Sequence, residues 1–554
     1  MNGKLVINNR QRLDLEMLLN GAFNPLDGFM GRDTYENVLD NMRLECNSPW
    51  PIPITLDVTE EFAKNHSLGD TITLHDADNT PLAKLTIKDK WQIDKDAESK
   101  KVFGTIDQKH PAVNYLHNQT KDWYLGGKLE QLKEPKHYDF LELRHTPDSL
   151  KQLFVSLGWE KIVAFQTRNP LHRAHMELTL RAAKQIEGNI LIHPVVGMTK
   201  PGDIDYITRV HCYQKIMSYY PQNKALLSLL PLAMRMGGPR EALLHALIRK
   251  NYGCTHFIIG RDHAGPGKDS SGKDFYDPYG AQKLVESFQD EIGIQMVPFK
   301  EMLYVKNQNR YCSKDELSTT DETLSISGTE LRDSLRKQKP IPDWFSFPEI
   351  IDELRKSYLP KHKKGFTVFF TGLSGAGKTV ISRTLYAKLK AYGLKNITLL
   401  DSDTTRRILA NDLGFSKKDR DLNIRRIGFV ASEVTKVGGI ALCNAIAPYA
   451  EGRNTNRQLI SEHGGYVEVH ISTPFNECAK RDTKGLYSKA LKGEISNFTG
   501  YNDPYEEPKD PEISIDTTDL TIDEATNIIF DYLKSEGYIQ SMVEESTTKH
   551  KEMV

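Results

Sequence analysis

One segment limits the possible folds of this 554-residue chain more than any other, the octapeptide Gly372-Leu-Ser-Gly-Ala-Gly-Lys-Thr379. It fits the pattern G-x-x-x-x-G-K-[ST], in which the backbone N–H groups of a glycine-rich loop converge on phosphate oxygens. The apolar run GFTVFF precedes it and the helix-like run TVISRTLYAKLKAYG follows it, which is the strand–loop–helix order that the pattern requires. The segment therefore predicts an α/β domain that binds a nucleotide such as ATP. The positions expected at the nucleotide are Gly372, Leu373, Ser374, Gly375, Ala376, Gly377, Lys378 and Thr379.

The two end residues of this loop have distinct expected roles. Lys378 would reach the β- and γ-phosphates, and the Thr379 hydroxyl would coordinate Mg²⁺ that arrives with the nucleotide. One predicted strand later, the apolar run ITLL ends in Asp401-Ser402-Asp403. Carboxylates at such a strand end can hold Mg²⁺ through water or accept a proton from a substrate hydroxyl, although a helix N-cap is an alternative role.

Charge and cysteine content exclude several classes of protein. Lys and Arg total 73 against 74 Asp and Glu, so the formal charge of −1 provides no general field for a nucleic-acid backbone. The six cysteines are scattered without a C-x-x-C pair, which argues against a disulfide framework or a zinc knuckle. The apolar run ALLSLLPLAM, residues 225–234, is about half the ~20 residues that a membrane span needs. We expect a cytoplasmic protein that binds neither nucleic acid nor membrane.

The pattern of hydrophobic residues changes along the chain. Up to about residue 140, short runs alternate apolar and polar residues between Asn, Asp, Gly and Pro turns, which is typical of a β-rich fold. From about residue 161, apolar strands alternate with helical periods, which predicts a parallel sheet with crossover helices. A more polar stretch at 301–360 ends in SYLPKHKKG, a candidate linker to the domain that carries the octapeptide.

A second concentration of polar residues follows the predicted strand KIVAF. The segment Gln166-Thr-Arg-Asn-Pro-Leu-His-Arg-Ala-His175 brings cationic and hydrogen-bonding groups to the point where a strand meets a helix. His172 and His175 would share one helical face, so a metal pair and two structural histidines are both possible. We favour a grip on a triphosphate, in which these histidines with Asn169 and Arg168 neutralise a leaving pyrophosphate.

Two long strings in the C-terminal third resemble the adenylylsulfate kinase family. They are DLGFSKKDRDLNIRR at 412–426 and KGLYSKALKGEISNFTGYNDPYE at 484–506, and the resemblance covers about 363–539. It implies phosphorylation of the ribose 3′-hydroxyl of adenylylsulfate. The residues implied to contact that substrate are Arg406, Phe415, Arg420, Asn423, Lys484 and Phe498. Two positions depart from the family's I-S-P-Y-R, which appears here as Ile446-Ala-Pro-Tyr-Ala450.

The segment 166–175 resembles the Q-x-R-N-P-x-H-x-x-H signature of the ATP sulfurylase family. Matching strings include Gly260-Arg-Asp-His-Ala-Gly265, HPVVGMTKPGDID at 193–205 and PLAMRMGGPREA at 231–242. The resemblance implies that Gln166 and Arg168, with the backbone around Ala264, bind sulfate. It also implies that Thr167, Arg168 and Asn169 form the active site, with His172 and His175 at the β- and γ-phosphates. The residues implied to contact ATP are Gln166, Thr167, Arg168, Asn169, Gly260, Arg261, Asp262, His263 and Met302.

Together the resemblances imply an α/β multidomain enzyme that activates sulfate in two ATP-dependent steps. The expected domains are a β-rich, PUA-like domain at 1–138, a Rossmann-like nucleotidylyltransferase domain at 139–300, a small connecting domain at 301–362, a P-loop kinase domain at 363–540 and a polar tail at 541–554. The resemblance also implies a homo-oligomer. One alternative stays open, that the C-terminal domain is a catalytically silent module that binds nucleotide and regulates the sulfurylase.

Overall fold

The computed structural model describes residues 3–200, 202–299, 301–482 and 484–540, and the expected polar tail at 541–554 lies outside this set. The chain divides into two compact units, residues 1–357 and 358–554. Among the described helices, none combines the length and the apolar character that crossing a membrane would require.

The first unit begins with a six-stranded sheet in the order β1-β4-β5-β6-β2, with β3 also paired to β6. Its strands are β1 (Gly3–Val6), β2 (Gly28–Phe29), β3 (Leu56–Val58), β4 (Thr71–His75), β5 (Pro81–Gln92) and β6 (Trp123–Gln131). The helices around it are α1 (Asn9–Leu19), α2 (Arg32–Asn41), α3 (Glu60–Asn65), α4 (Lys95–Glu98) and α5 (Pro111–Asn118). Side chains alternate between buried and partly exposed along β4, as expected for a sheet with one face on the core.

A parallel five-stranded sheet follows in the same unit, in the order β11-β10-β7-β8-β9. Its strands are β7 (Ile162–Phe165), β8 (Asn189–Ile192), β9 (Ala225–Leu227), β10 (His256–Ile259) and β11 (Gln295–Pro298). Its helices are α6 (Pro147–Ser156), α7 (Arg173–Gln185), α8 (Tyr206–Met217), α9 (Gly238–Asn251) and α10 (Gly280–Ile292). Read along the chain, this is the doubly wound order 3-2-1-4-5, so the winding direction reverses between β7 and β10.

The first unit ends in a small antiparallel sheet in the order β13-β12-β14. Its elements are β12 (Met302–Val305), β13 (Arg310–Ser313), β14 (Thr323–Leu324), α11 (Gly328–Arg336) and α12 (Pro348–Ser357). One hydrophobic core runs continuously from Ile7 in the β-rich region to Ile294 beside β11. That shared core explains why the regions before residue 300 form a single compact unit.

The second unit is a parallel sheet in the order β16-β17-β15-β18-β19. Its strands are β15 (Phe366–Thr371), β16 (Ile397–Asp401), β17 (Ile440–Asn444), β18 (Gly465–Ile471) and β19 (Ile513–Ile515). Its helices are α13 (Lys378–Ala391), α14 (Ser402–Leu409), α15 (Lys417–Lys436), α16 (Ala450–Ser461), α17 (Phe475–Arg481), α18 (Leu486–Leu491) and α19 (Ile522–Ser535). All six residues of β15 are buried, as expected for a central strand covered by helices on both faces.

Candidate active sites

The two polar segments of the first unit lie at one edge of its parallel sheet. Strands β7 and β10 are direct neighbours, with His256 paired to Val163 and Phe257 paired to Ala164. Their C-terminal ends therefore place residues 166–169 and 260–263 side by side at the point where the strand order reverses. Open α/β sheets bind ligands at this position, because loops from the two halves diverge there and leave a crevice.

Long-range hydrogen bonds hold the backbone of residues 167–169 in place. The Thr167 carbonyl accepts from the backbone N–H of Val195 at 3.0 Å. Buried Arg209 donates to the Arg168 carbonyl at 3.1 Å, and the Tyr213 hydroxyl donates to the Asn169 carbonyl at 2.9 Å. With the main chain tied to α8 in this way, the side chains of the segment are positioned by a rigid support.

The Arg168 guanidinium is paired with a carboxylate. It forms an ion pair with Asp203, whose other oxygen accepts from the backbone N–H of Lys200 at 3.2 Å. Both side chains of the pair are mostly buried. Next to this pair, the side-chain oxygen of Gln166 is buried and has no hydrogen-bond partner within the described residues. An unpaired buried polar atom costs free energy, so Gln166 is poised to gain from a ligand.

His172 and His175 lie together at the start of α7, with ring centroids 6.0 Å apart. Burial lowers the pKa of His172 to about 3, with a further contribution from His175, and burial lowers the pKa of His175 to about 4. Both rings are therefore neutral at pH 7, because burial disfavours the charged imidazole. Neutral rings would act on the leaving pyrophosphate through hydrogen bonds rather than through charge, and this role stays a prediction.

These two rings differ in their hydrogen bonds. Nδ1 of His172 lies 2.9 Å from the Ser346 hydroxyl, and the ring packs on Phe345 at 4.6 Å. Nδ1 of His175 accepts from the backbone N–H of His172 at 3.1 Å, so a neutral His175 carries its proton on Nε2. His175 can thus donate a hydrogen bond to a phosphate oxygen without carrying a charge.

The segment after β10 forms a strained turn that opens toward solvent. Asp262 and Ala264 have φ values of +53° and +55°, a conformation that costs free energy for residues other than glycine. The Ala264 carbonyl accepts from the Gly238 N–H at 3.2 Å, which anchors the turn to the start of α9. Arg261 is exposed, and no atom lies within 4 Å of a Cβ placed on Gly260. Met302, by contrast, lies on β12 of the antiparallel sheet rather than at this sheet edge.

The glycine-rich loop of the second unit has the geometry of a phosphate cradle. Gly372 and Gly377 have φ values of +139° and +109°, and a Cβ on Gly372 would lie 2.4 Å from the Ile471 carbonyl oxygen. Lys378 Nζ donates to the carbonyls of Gly372 and Leu373 at 2.8 and 2.7 Å. Burial lowers the pKa of this lysine to about 8, and negatively charged phosphates bound in the loop would raise it again.

The two carboxylates after β16 occupy different environments. Asp401 is buried and caps α14, with one oxygen accepting from the N–H of Asp403 at 3.1 Å. Its other oxygen accepts from Asn444 and Arg383 at 3.3 and 3.2 Å. Burial raises the pKa of Asp401, but the hydrogen bonds from Asn444 and the backbone outweigh it and leave the pKa below its ordinary value. The side chain of Asp403 is 72% exposed and pairs with Lys484 at 2.6 Å.

Hydrogen bonds connect Asp401 to the phosphate loop. Asn444 donates to the Ser382 hydroxyl at 3.0 Å, and that hydroxyl donates to the Thr379 carbonyl at 3.1 Å. Thr379 is half-buried and lies in the first turn of α13. Ser382 and Asn444 thus link Thr379 to Asp401 at the end of β16.

Most of the residues implied to contact adenylylsulfate lie around the start of α15, whereas Lys484 contacts Asp403 at the start of α14. The Arg406 guanidinium stacks on exposed Phe415 at 4.1 Å. Arg420 donates to the Phe415 carbonyl at 2.9 Å and also to the Asn497 carbonyl and the Thr499 hydroxyl. Those last two contacts bring Phe498 to the same place. Asn423 is buried, and its side-chain oxygen has no hydrogen-bond partner within the described residues.

The two departures from the family pattern lie beside this group. Ala447 is buried with a φ of +45°, and its carbonyl accepts from Arg453 at 2.7 Å. Ala450 begins α16, and its N–H donates to Glu506 at 2.7 Å. Both positions are therefore held by backbone contacts that do not depend on the missing serine and arginine side chains.

Several supporting residues were not anticipated from the sequence. Four residues hold the two loops of the first site: Asp203, Arg209, Glu241 and His245. The hydrogen-bond partners of Asp203 and Arg209 lie 14 to 41 residues away in the sequence. No local spacing rule relates such pairs. The only signal in the sequence is that all four fall within or beside the long strings that resemble ATP sulfurylases.

Comparison with known proteins agrees with both resemblances. Family models match as PUA-like domain over 2–134, ATP-sulfurylase over 141–357 and adenylylsulphate kinase over 364–516. Proteins named sulfate adenylyltransferase from Mycosarcoma maydis and Phaeosphaeria nodorum are each 49% identical to this chain, over 97% of it and 94% of the relative. A solved structure described as a hexameric APS kinase from Thiobacillus denitrificans is 36% identical, with a TM-score of 0.77 over 97% of this chain and 94% of that one.

Proposed function

The chain belongs to the sulfate adenylyltransferase family and carries an adenylylsulfate kinase domain, and from that premise we propose how its residues carry out two successive reactions of sulfate activation. In the first, ATP and sulfate give adenylylsulfate and pyrophosphate; in the second, another ATP phosphorylates adenylylsulfate at its 3′-hydroxyl. The observation that carries the assignment is that each parallel sheet brings its own anion-binding loop to a strand-end crevice, with Arg168 in one and Lys378 in the other.

The first site is designed for a nucleophile that is already ionised. A sulfate oxygen forms a bond to the α-phosphorus of ATP while the bond to pyrophosphate breaks, and no proton needs to be removed. We assign Arg168 and Gln166, with the backbone near Ala264, to sulfate, because the Arg168 guanidinium and the side-chain N–H groups of Gln166 can both donate hydrogen bonds to sulfate oxygens and lie two residues apart in the chain. Thr167 and Asn169 would position ATP, and His175 would donate from Nε2 to the leaving phosphates.

Asp203 would control access to the sulfate position. It neutralises Arg168, which keeps a mostly buried guanidinium from remaining unpaired. Sulfate carries two negative charges against one for the carboxylate, so it can displace Asp203 from the guanidinium. Entry of sulfate thus replaces one ion pair by another, and breaking the first pair costs about 1 kcal/mol.

The second site must activate a neutral hydroxyl. The oxygen of that hydroxyl attacks the γ-phosphorus of ATP, ADP leaves, and the hydroxyl proton passes to a base. We assign the base to Asp403, because both oxygens of Asp401 are already engaged at the start of α14. Lys378 would hold the transferred phosphate, and the ring of Phe498 with Arg406 and Phe415 would hold the adenylylsulfate.

Mg²⁺ would enter the second site with ATP. The described residues contain no group of three or more His, Cys, Asp or Glu side chains placed to bind a metal ion. The Thr379 hydroxyl, supported by the hydrogen-bonded path to Asp401, fits a single protein ligand, and the phosphates and water would complete the coordination. The ion supplies charge neutralisation at the β- and γ-phosphates when it is bound.

A silent, regulatory C-terminal domain is the alternative that the sequence left open. The cradle geometry and the placement of Lys378 and Asp403 support catalysis, and the chemistry of phosphoryl transfer does not require the serine hydroxyl that is missing at position 447. To distinguish a catalytic from a regulatory domain, we would supply the purified protein with adenylylsulfate, ATP and Mg²⁺ and separate the products by chromatography. Formation of the 3′-phosphorylated product with an equal amount of ADP supports turnover, whereas tight binding of that product without its formation would establish the regulatory role.

We also propose a homo-oligomer located in the cytoplasm, with domain boundaries as expected from the sequence. The second unit exposes large apolar side chains, including Ile408 at 63% and Phe429 at 59%, which self-association would cover. The similar structure is described as hexameric. All six cysteines are free thiols, as in proteins of a reducing compartment.

A further inference from the structure

A buried carboxylate and two histidines form a line that ends at the turn after β10. Glu241 and His245 lie one turn apart on α9 and are both fully buried. Nδ1 of His245 lies 3.0 Å from Nε2 of His263, a residue of the turn expected at ATP. His263 is half-buried, and its Nδ1 makes no hydrogen bond to another described residue. The line therefore connects the interior of the first unit to its nucleotide crevice.

Glu241 is the fixed negative end of this line. Its two oxygens accept from the backbone N–H groups of Arg235 and Gly237 at 2.8 and 2.9 Å. Burial raises the pKa of Glu241, but the contact with His245 and these two N–H groups outweigh it and leave the pKa below its ordinary value. The carboxylate is thus ionised at neutral pH and can act only as an acceptor.

The two imidazoles are neutral at pH 7, because the pKa of each is lowered. Burial lowers the pKa of His245, with Glu241 opposing the shift, and burial lowers the pKa of His263 further. Each neutral imidazole carries one N–H proton, which can lie on Nδ1 or on Nε2. Phe257 packs edge-on against His263 at 5.5 Å and limits rotation of that ring.

The charge of Glu241 determines which nitrogen of His245 carries the proton, and the proton on His245 in turn determines which nitrogen of His263 carries one. Nε2 of His245 lies 3.5 Å from a Glu241 oxygen and has no shorter partner within the described residues. A lone pair there would face a negative charge, so the proton of His245 belongs on Nε2 and its Nδ1 must accept. His263 then has to donate from Nε2, which leaves a lone pair on its Nδ1.

We propose that Glu241 and His245 are positioning residues that fix His263 in the Nε2–H tautomer, so that its Nδ1 accepts a hydrogen bond from the nucleotide. The inference rests on the proposed placement of residues 260–263 at ATP. An acceptor at this position suits a hydroxyl or amino group of the nucleoside and disfavours a phosphate oxygen, which needs a donor. His263 would therefore orient the nucleoside part of ATP, while His175 serves the phosphates.

Two substitutions at position 245 separate this role from simple packing. His245→Leu removes both polar contacts, whereas the side-chain amide in His245→Gln can still accept from His263 and donate to Glu241. We expect His245→Leu to lower kcat/KM for ATP in adenylyl transfer ten- to a hundredfold and His245→Gln to stay within about threefold of the parent protein. Kinase activity of the same molecules, measured with supplied adenylylsulfate, should not change, and circular dichroism with thermal unfolding reports whether the first unit is folded.

A spectroscopic measurement tests the tautomer directly. In the full-length protein labelled with ¹⁵N-histidine, the His263 signals are identified by their loss in His263→Gln. We expect an unprotonated Nδ1 and a protonated Nε2 in the parent protein, and a mixture of tautomers in His245→Leu. This readout on the parent protein also decides the matter if His245→Leu fails to fold.

The outcomes distinguish the inference from the site assignment. A protonated Nδ1 in the parent protein, or full adenylyl transfer by His245→Leu, would overturn the role of Glu241 and His245. If His263→Ala itself leaves adenylyl transfer unchanged, the placement of residues 260–263 at ATP is wrong and the inference falls with it. Loss of activity in His263→Ala and in His245→Leu, with rescue by His245→Gln, supports both.

Discussion

Replacing Arg168 by Ala should selectively disable the first reaction. The guanidinium can give sulfate two charge-assisted hydrogen bonds, each contributing about 2 kcal/mol. Sulfate must first displace Asp203 from a mostly buried ion pair, which offsets about 1 kcal/mol of that gain. The net loss of about 3 kcal/mol corresponds to about a hundredfold decrease in kcat/KM for sulfate, since 1.36 kcal/mol is tenfold.

The assay is sulfate-dependent exchange of labelled pyrophosphate into ATP, which follows adenylyl transfer without requiring the second site. Arg168→Lys is the matched control, because it keeps the charge but loses the planar fork, and it should fall between the parent protein and Arg168→Ala. Circular dichroism and thermal unfolding monitor folding of the first unit in each variant, and kinase turnover with supplied adenylylsulfate monitors the second unit. Unchanged exchange by a folded Arg168→Ala protein would refute the assignment of this residue to sulfate.

Three further predictions address the second site and Asp203, the carboxylate that competes with sulfate for Arg168. Lys378→Ala should abolish formation of the 3′-phosphorylated product while adenylylsulfate still accumulates in the presence of pyrophosphatase; loss of both products from a folded variant would mean that the reactions are obligately coupled. Because the pKa of Lys378 is lowered to about 8, nucleotide affinity at the kinase site should fall about tenfold between pH 7 and pH 9 as the lysine loses its proton, and binding titrations that show constant affinity would contradict this. Asp203→Asn should lower the Kd for sulfate about fivefold, because about 1 kcal/mol is no longer spent on breaking the ion pair with Arg168, and equilibrium dialysis that shows weaker binding would instead make Asp203 a positioning partner.

The sequence predicted the architecture well where the signals are local. An apolar strand, a polar or glycine-rich loop and an amphipathic helix follow one another within about 25 residues at both β7 and β15, and each becomes a strand–loop–helix unit of a parallel sheet. The β-rich start and the P-loop domain are likewise confirmed by the fold and by the family models. The placement of individual residues at substrates stays a prediction.

Contacts between distant segments could not be predicted, because spacing carries no information about them. Arg168 and Asp203 are 35 residues apart, and neither periodicity nor a motif rule pairs them. Asp401 and Asp403 appear equivalent in the sequence, yet only the structure shows that one is a buried cap and the other an exposed partner of Lys484. The neutral state of His172 also depends on burial by Phe345 and Ser346, which come from a different part of the chain.

The carboxylates near the two sites reflect the difference between the two acceptors. In the first unit, Asp203 faces Arg168 and Glu241 faces His245, so each of them is committed to a cationic or imidazole partner. Neither is free to remove a proton, and the ionised oxygen of sulfate has no proton to give. In the second unit the acceptor is a hydroxyl, and there Asp403 remains exposed just after the end of β16. Its partner Lys484 is itself expected at the substrate, so binding of adenylylsulfate would draw the lysine away and leave the Asp403 carboxylate available as the base at the moment when the hydroxyl arrives.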